Sequence, residues 1–188
     1  MKIVLARHGR PAWDFRTPIA GHELGAWRRG EDEAPLDLSS RPGPALADLI
    51  RTTACLVASP LRRSRDSARL LAPGVVPIVD ARFREAELPS AIRSSLRLRP
   101  GMWSWLARFA WFCGWSPGVE TYREARARAA SAAETLAAHA RGRGEVVLVG
   151  HGLMNVFIAA ALRRTGWRGP RLPSSQHWEF GVYERSAT

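Results

Sequence analysis

Four short apolar runs punctuate the chain, each broken by glycine, proline or charge, and longer amphipathic or alanine-rich stretches lie between them. Lys2 to Ala6 reads as a buried strand, because it is apolar and β-branched; Arg7-His8-Gly9 ends it and Pro11 forbids its continuation. The stretch Trp13 to Pro44, rich in glycine, proline and acid, with the cluster Glu31-Asp32-Glu33, predicts a surface loop. A helical pattern begins over Ala45 to Leu49. Ala54 to Ala58 predicts the next strand, closed by Ser59 as an N-cap and Pro60 in the first turn of a helix over Leu61 to Leu71. Val75 to Val79 reads as a third short strand, followed by the charged segment Asp80 to Glu87. Gly101 to Pro117 is crowded with aromatics. A long helix is expected from about Val119 to Ala140, with Tyr122, Ala125, Ala129, Ala133 and Leu136 on one stripe. Glu145 to Val149 is a strand that turns through Gly150-His151-Gly152 into a helix ending near Gly166. Strands alternating with helices predict an α/β domain in three layers, α/β/α, with a mostly parallel open sheet covered on both faces. No repeat, low-complexity tail or linker divides residues 1–188, so a single domain is expected.

Composition adds a charge. Twenty-eight Lys and Arg oppose 17 Asp and Glu, a formal +11, while 46% hydrophobic residues and eight tryptophans exclude a disordered chain. Lys2 is the single lysine, so 27 of the 28 cations are arginine. They are scattered from Arg7 to Arg185 and interleaved with alanine, unlike the contiguous basic run of a nucleic-acid tail. Arginine's fixed fork of donors fits phosphate, which makes phosphate-bearing partners the first class to consider. Arginines on helix faces, such as Arg123, Arg126 and Arg128, are expected to be solvated. Cys55 and Cys113 match no metal or redox spacing and read as buried thiols in a reducing compartment. The first ten residues are too short in apolar content for a signal peptide, and Val146 to Leu162 is too polar to span a bilayer. These features predict a soluble, cytoplasmic protein.

Two histidines share a local setting: His8 in Leu5-Ala6-Arg7-His8-Gly9 and His151 in Leu148-Val149-Gly150-His151-Gly152. Open α/β sheets bind ligands at the carboxyl ends of their strands, so both imidazoles are placed to meet over one crevice, with Gly9 and Gly152 allowing close backbone approach.

On these residues the chain resembles the histidine phosphatase superfamily, also called phosphoglycerate mutase-like. Arg7-His8-Gly9 follows the first strand, Ser59-Pro60-Leu61-Arg62-Arg63-Ser64 is similar to the family's second motif, Phe83-Arg84-Glu85 to its acid-bearing segment, and His151-Gly152 completes the order. The resemblance implies the phosphoglycerate mutase-like fold and a phosphoric monoester hydrolase of the histidine acid phosphatase kind, needing no metal or other cofactor and acting on a small phosphorylated metabolite. By resemblance His8 is the nucleophile that becomes phosphohistidine, kept neutral by nearby arginines. Arg7, Arg63 and His151 clamp the phosphoryl oxygens with backbone help at Gly9, and Glu85 exchanges the leaving-group proton. Glu87 and Asp14 are the other candidates for that acid.

The pattern also departs from the family. The usual Arg-His-Gly-Glu-Thr-x-x-Asn gives way to Arg10, Pro11 and Asp14, removing two polar side chains that contact phosphate, and Glu87-Leu88-Pro89-Ser90 replaces a Gly-x-x-x-Gly turn after Glu85. These differences weigh against a phosphoglycerate mutase, the alternative within the family. An anion- or nucleic-acid-binding module on a degenerate fold is the alternative from another class, and no stable nucleic-acid partner is expected. Residues at about 88–117 fall where the family inserts its substrate cover. Here they hold Trp103, Trp105, Trp111 and Trp115, with Trp103, Leu106, Ala110 and Cys113 near helical spacing on a face to be buried. An aromatic lid, a homodimer contact and a membrane-surface contact are all consistent with this composition, without a membrane span. Gly118-Val119-Glu120 resembles the turn before the family's next helix, and Glu120 is given no catalytic role.

Overall fold

The computed structural model describes residues 1–51, 53 and 55–186. In chain order its elements are strand β1 (Lys2–Arg7), β2 (Ile19–Ala20), helix α1 (Leu24–Glu33), α2 (Pro44–Arg51), β3 (Leu56–Ala58), α3 (Arg62–Leu71), β4 (Ile78–Val79), β5 (Arg97–Leu98), α4 (Pro100–Phe112), α5 (Tyr122–Arg143), β6 (Glu145–Gly150), α6 (Gly152–Arg164) and β7 (Phe180–Glu184). The main sheet has the order β4-β3-β6-β1-β7, parallel except for β7, which pairs antiparallel with β1; β2 and β5 form a separate two-stranded ladder.

The period of two along buried strands sorts side chains to opposite faces. Ile3 and Leu5 of β1, Val57 of β3, and Val146 and Leu148 of β6 pack against alanines and Leu136 of α5 and against Met154, Ile158 and Leu162 of α6. Val4, Ala6, Leu56, Ala58, Val147 and Val149 face the other way, onto Leu46 and Ile50 of α2 and Ala68 and Leu71 of α3. Helices therefore cover both faces of a mostly parallel open sheet, as the alternation of elements predicts. Alanines at 125, 129, 132, 133, 137 and 140 let α5 lie close to the sheet. It starts at Tyr122 because Thr121 and Glu124 form a reciprocal capping box, and it stops at Gly144, which takes a φ of +78°.

Several expectations are corrected. Residues 13–44 are not a plain surface loop: they contain β2 and α1, which buries Leu24. The strand expected over 75–79 is only Ile78–Val79, and the start of the one expected from Ala54 lies outside the described residues. Ser59 is not the N-cap of α3; Leu61 is, and the serine hydroxyl is used elsewhere. Tyr122, expected on the packed stripe of α5, is exposed. Cys55 is buried, but Cys113 is exposed. On α4 the buried face is Trp103, Ala107 and Trp111, an i, i+4, i+8 series, whereas Leu106 and Cys113 face outward. Among the described residues no helix is long and apolar enough to cross a membrane.

Candidate active site

Parallel pairing sets Arg7 of β1 opposite Gly150 of β6, so the two strands end together and their following residues share one crevice. The His8 N–H donates to the Gly150 carbonyl (3.1 Å), and the rings of His8 and His151 lie 4.9 Å apart, edge to face. His8 Nδ1 is 2.7 Å from the carbonyl of Gly9, an acceptor, which puts the proton on Nδ1 and leaves Nε2 unprotonated. Arg63 Nε donates to the Nε2 lone pair at 3.1 Å. Its guanidinium, on a side chain only 2% exposed in the first turn of α3, is oriented by Asp32 Oδ1 of α1 at 2.7 Å from Nη1. Burial, with adjacent His151 and Arg63, holds the His8 imidazole well below its usual pKa, so the ring is neutral at pH 7.

His151 lies at the N-cap of α6 but caps nothing with its side chain. Its Nε2 is 2.7 Å from Ser59 Oγ, which already accepts from the N–H of Leu61. With the serine hydroxyl as donor in this bond, the His151 proton sits on Nδ1. That Nδ1 is buried without an acceptor, and so is Nε of Arg7. Arg7 is fixed through Nη1 by the carbonyl of Ser175, and a Cβ at Gly152 would come into van der Waals contact with its guanidinium. Burial pulls both His151 and Arg7 toward their neutral forms. Among the described residues, two unused polar atoms thus flank a neutral imidazole whose lone pair is held by Arg63.

Glu85 reaches the same corner. Its Oε1 accepts from the N–H of Met154 at 3.0 Å, in the first turn of α6, where the helix dipole favours an anion. Its charge is felt by Arg7. A cleft of about 230 Å³ opens here, lined by Arg28, Asp32, Leu61, Glu85, Leu88 and Val119 among others. The other acid candidates are committed elsewhere. Glu87 accepts from the N–H of Glu120 (3.1 Å) and pairs with Arg84, while Asp14 is exposed and folds back to accept from the N–H groups of Arg16 and Thr17. Gly9 also stands apart, its N–H given to Ser67 Oγ at 2.8 Å. Of the expected aromatic cover, only Leu88 at its edge lines the cleft.

Four participants escape the sequence reading. Asp32 belongs to the acidic cluster, whose isolation in a basic chain is the signal available. Ser59 sits in the recognised motif but positions His151 instead of capping a helix. His177, from the loop before β7, places its ring 5.2 Å from that of His8 and its Nδ1 3.1 Å from the His8 carbonyl; burial lowers its pKa to about 4. No local pattern marks it. Arg128, expected to be solvated, instead donates to the carbonyls of Arg82 and Arg84 (both 2.8 Å) and to the carboxylate of Glu120. With Arg108, which donates to the carbonyls of Ala86 and Glu87, it holds the irregular segment that carries Glu85.

Solved structures share this architecture. A mycobacterial glucosyl-3-phosphoglycerate phosphatase is 26% identical over 87% of this chain and 79% of that one, with a TM-score of 0.57. A phosphoserine phosphatase variant of Entamoeba histolytica, solved with phosphoserine, covers 98% and 95% at 13% identity and a TM-score of 0.58, and YhfR of Bacillus stearothermophilus covers 87% and 80% at 19% and 0.55. The last two speak for the fold alone. No curated protein matches the chain. The profile of the histidine phosphatase superfamily, branch 1, matches residues 3–179, a span that includes both histidine turns and the helices that position them, and the chain belongs to that superfamily.

Proposed function

We propose that the protein is a phosphatase of small organic phosphomonoesters that works through a phosphohistidine at His8. The observation that carries this reading is the buried trio of His8 Nε2, an unprotonated acceptor held by Arg63 Nε, beside Arg7 Nε and His151 Nδ1, which have no partner among the described residues. An entering phosphate dianion supplies what these groups lack. Its nonbridging oxygens accept from Arg7, His151 and Arg63, whose Nε turns from the imidazole to the anion. His8 Nε2 then attacks phosphorus in line, the bond to the ester oxygen breaks, and Glu85 gives that oxygen its proton. Water attacks the phosphohistidine next, Glu85 takes back a proton, and inorganic phosphate and neutral His8 are restored.

The depressed pKa of His8 supports a phosphatase of the acid type, because its nucleophile stays unprotonated below pH 6.5. Similarity to a phosphatase of a phosphorylated glyceric acid glucoside supports a small polar substrate. The test is phosphate release from a monoester panel, with protein quenched in alkaline detergent examined for an acid-labile, base-stable phosphoryl group. Release that vanishes in His8→Ala, with label trapped on the wild type, is expected. Unchanged release in His8→Ala overturns the proposal, and transfer of phosphate within a substrate without release identifies a mutase.

A further inference from the structure

Helix α4 has two apolar faces and only one is covered. Advancing about 100° per residue, Trp103, Ala107 and Trp111 form one stripe, which packs on Leu24, Leu88 and Ala86. Met102, Trp105, Phe109 and Phe112 form a second stripe half a turn away. Trp105 is 63% exposed and Phe109 60%, and their rings are stacked on each other at 6.0 Å, with no other aromatic partner among the described residues. Leu96, Leu106 and Trp115, in and beside the same helix, are exposed as well. An apolar area of this kind marks a contact with another phase or molecule. None of these side chains lines the cleft beside Glu85.

The charge of the segment that carries the patch identifies the occupant. Between Glu87 and Glu120 there is no acidic residue, while Arg93, Arg97, Arg99 and Arg108 fall in the same interval and the whole chain carries +11. Arg108 is turned inward to the carbonyls of Ala86 and Glu87, and Arg97 lies 3.7 Å from Glu23. Arg93 and Arg99 are exposed and form no ion pair among the described residues. A second copy would bring this arginine-bearing segment against the same segment of its partner, because a two-fold contact uses one patch on both sides, and the segment holds no carboxylate to neutralise the arginines. An anionic lipid surface satisfies both features: acyl chains take the aromatic stripe and headgroups take the arginines. At 13 residues the helix is too short to cross a bilayer and suited to lying in its interface. We infer that the outer face of α4 docks this protein on anionic membrane surfaces.

The exposed thiol of Cys113 adjoins the stripe, and Cys55 is buried, so an environment-sensitive dye can be placed there selectively on the full chain. Vesicles of phosphatidylglycerol with phosphatidylcholine should blue-shift the dye and sediment the protein; pure phosphatidylcholine should do so far less. Trp105→Ser with Phe109→Ser should weaken binding at least roughly tenfold, and Arg93→Gln with Arg99→Gln roughly 25-fold, at about fivefold per arginine near the surface. Circular dichroism should show these surface variants folded, and the dye reads the unmutated stripe independently. No binding to anionic vesicles overturns the inference, as does binding that survives loss of Trp105 and Phe109. A dimer in sedimentation equilibrium that the same aromatic variant dissolves, without vesicle binding, assigns the face to a second copy instead.

Discussion

One methyl group at Gly9 separates two accounts of why glycine follows His8. If its role is close approach to the phosphate, Gly9→Ala should weaken substrate binding and leave the fold unharmed. The structure argues for packing. A Cβ built there lies 2.5 Å from Cε2 of Trp178 and 2.7 Å from Cδ1 of Leu36, against ordinary contacts of about 3.5–4 Å between carbons. Neither neighbour yields readily. Trp178 is buried, its Nε1 donates to Ser40 Oγ at 2.8 Å, and its backbone is at a φ of +67°. Overpacking of this kind costs about 1–3 kcal/mol, and a lost indole hydrogen bond adds about 1. Gly9→Ala should therefore destabilise by roughly 2–4 kcal/mol, read as a lowered urea midpoint at constant m-value. Because the Gly9 carbonyl also fixes the His8 tautomer, kcat should fall in the folded variant. Trp178→Phe removes the part of the indole that clashes, so the double variant should be more stable than the two single effects add to, by about 1 kcal/mol or more. A Gly9→Ala protein with wild-type stability and only a raised KM would refute this account.

Glu85→Gln should lower kcat/KM by roughly 10²- to 10⁴-fold on alkyl phosphates and much less on a nitrophenyl ester, whose leaving group needs no proton; equal losses on both would remove Glu85 from the acid role. Ser59→Ala leaves His151 Nε2 buried without a partner and should cost about 1–3 kcal/mol together with part of kcat, measured by urea unfolding and phosphate release. Arg128→Met strands the half-buried Glu120 and frees the carbonyls of Arg82 and Arg84; a loss of roughly 2–3 kcal/mol and a lower kcat are expected, and an unchanged kcat would show that the Glu85 segment is held otherwise. Stability should also fall on acidification below about pH 6.5. There the unfolded chain protonates histidines that the fold keeps neutral at 8 and 151, so the unfolded state binds more protons and each ring contributes up to about 1.4 kcal/mol per pH unit. Urea midpoints between pH 7.5 and 5 that do not move would contradict the burial of these imidazoles.

What the sequence reveals follows from how local the cause is. Strands β1 and β6 are buried on both faces, so their residues are uniformly apolar and legible, and the motif residues at their ends come with them. Helix α1 is illegible because Leu-Gly-Ala-Trp-Arg-Arg-Gly-Glu-Asp-Glu has two glycines, five charges and poor intrinsic helicity. Distant partners hold it: Asp32 by Arg63, and the carbonyl of Glu33 by Arg62. Strand β7 is likewise completed by pairing with β1, and His177 reaches His8 only because that pairing returns the chain to the site. The same distinction explains α4. Its spacing shows a helix, but a helix apolar all round does not encode which side is inside. The choice is made by Leu24 and Leu88, from elements distant in sequence, and the stripe they leave uncovered lies in a segment with arginines and no acid. Packing fixes the inner face, and the surplus of apolar positions outside, which stability alone does not require, is the part of the pattern that asks for a partner.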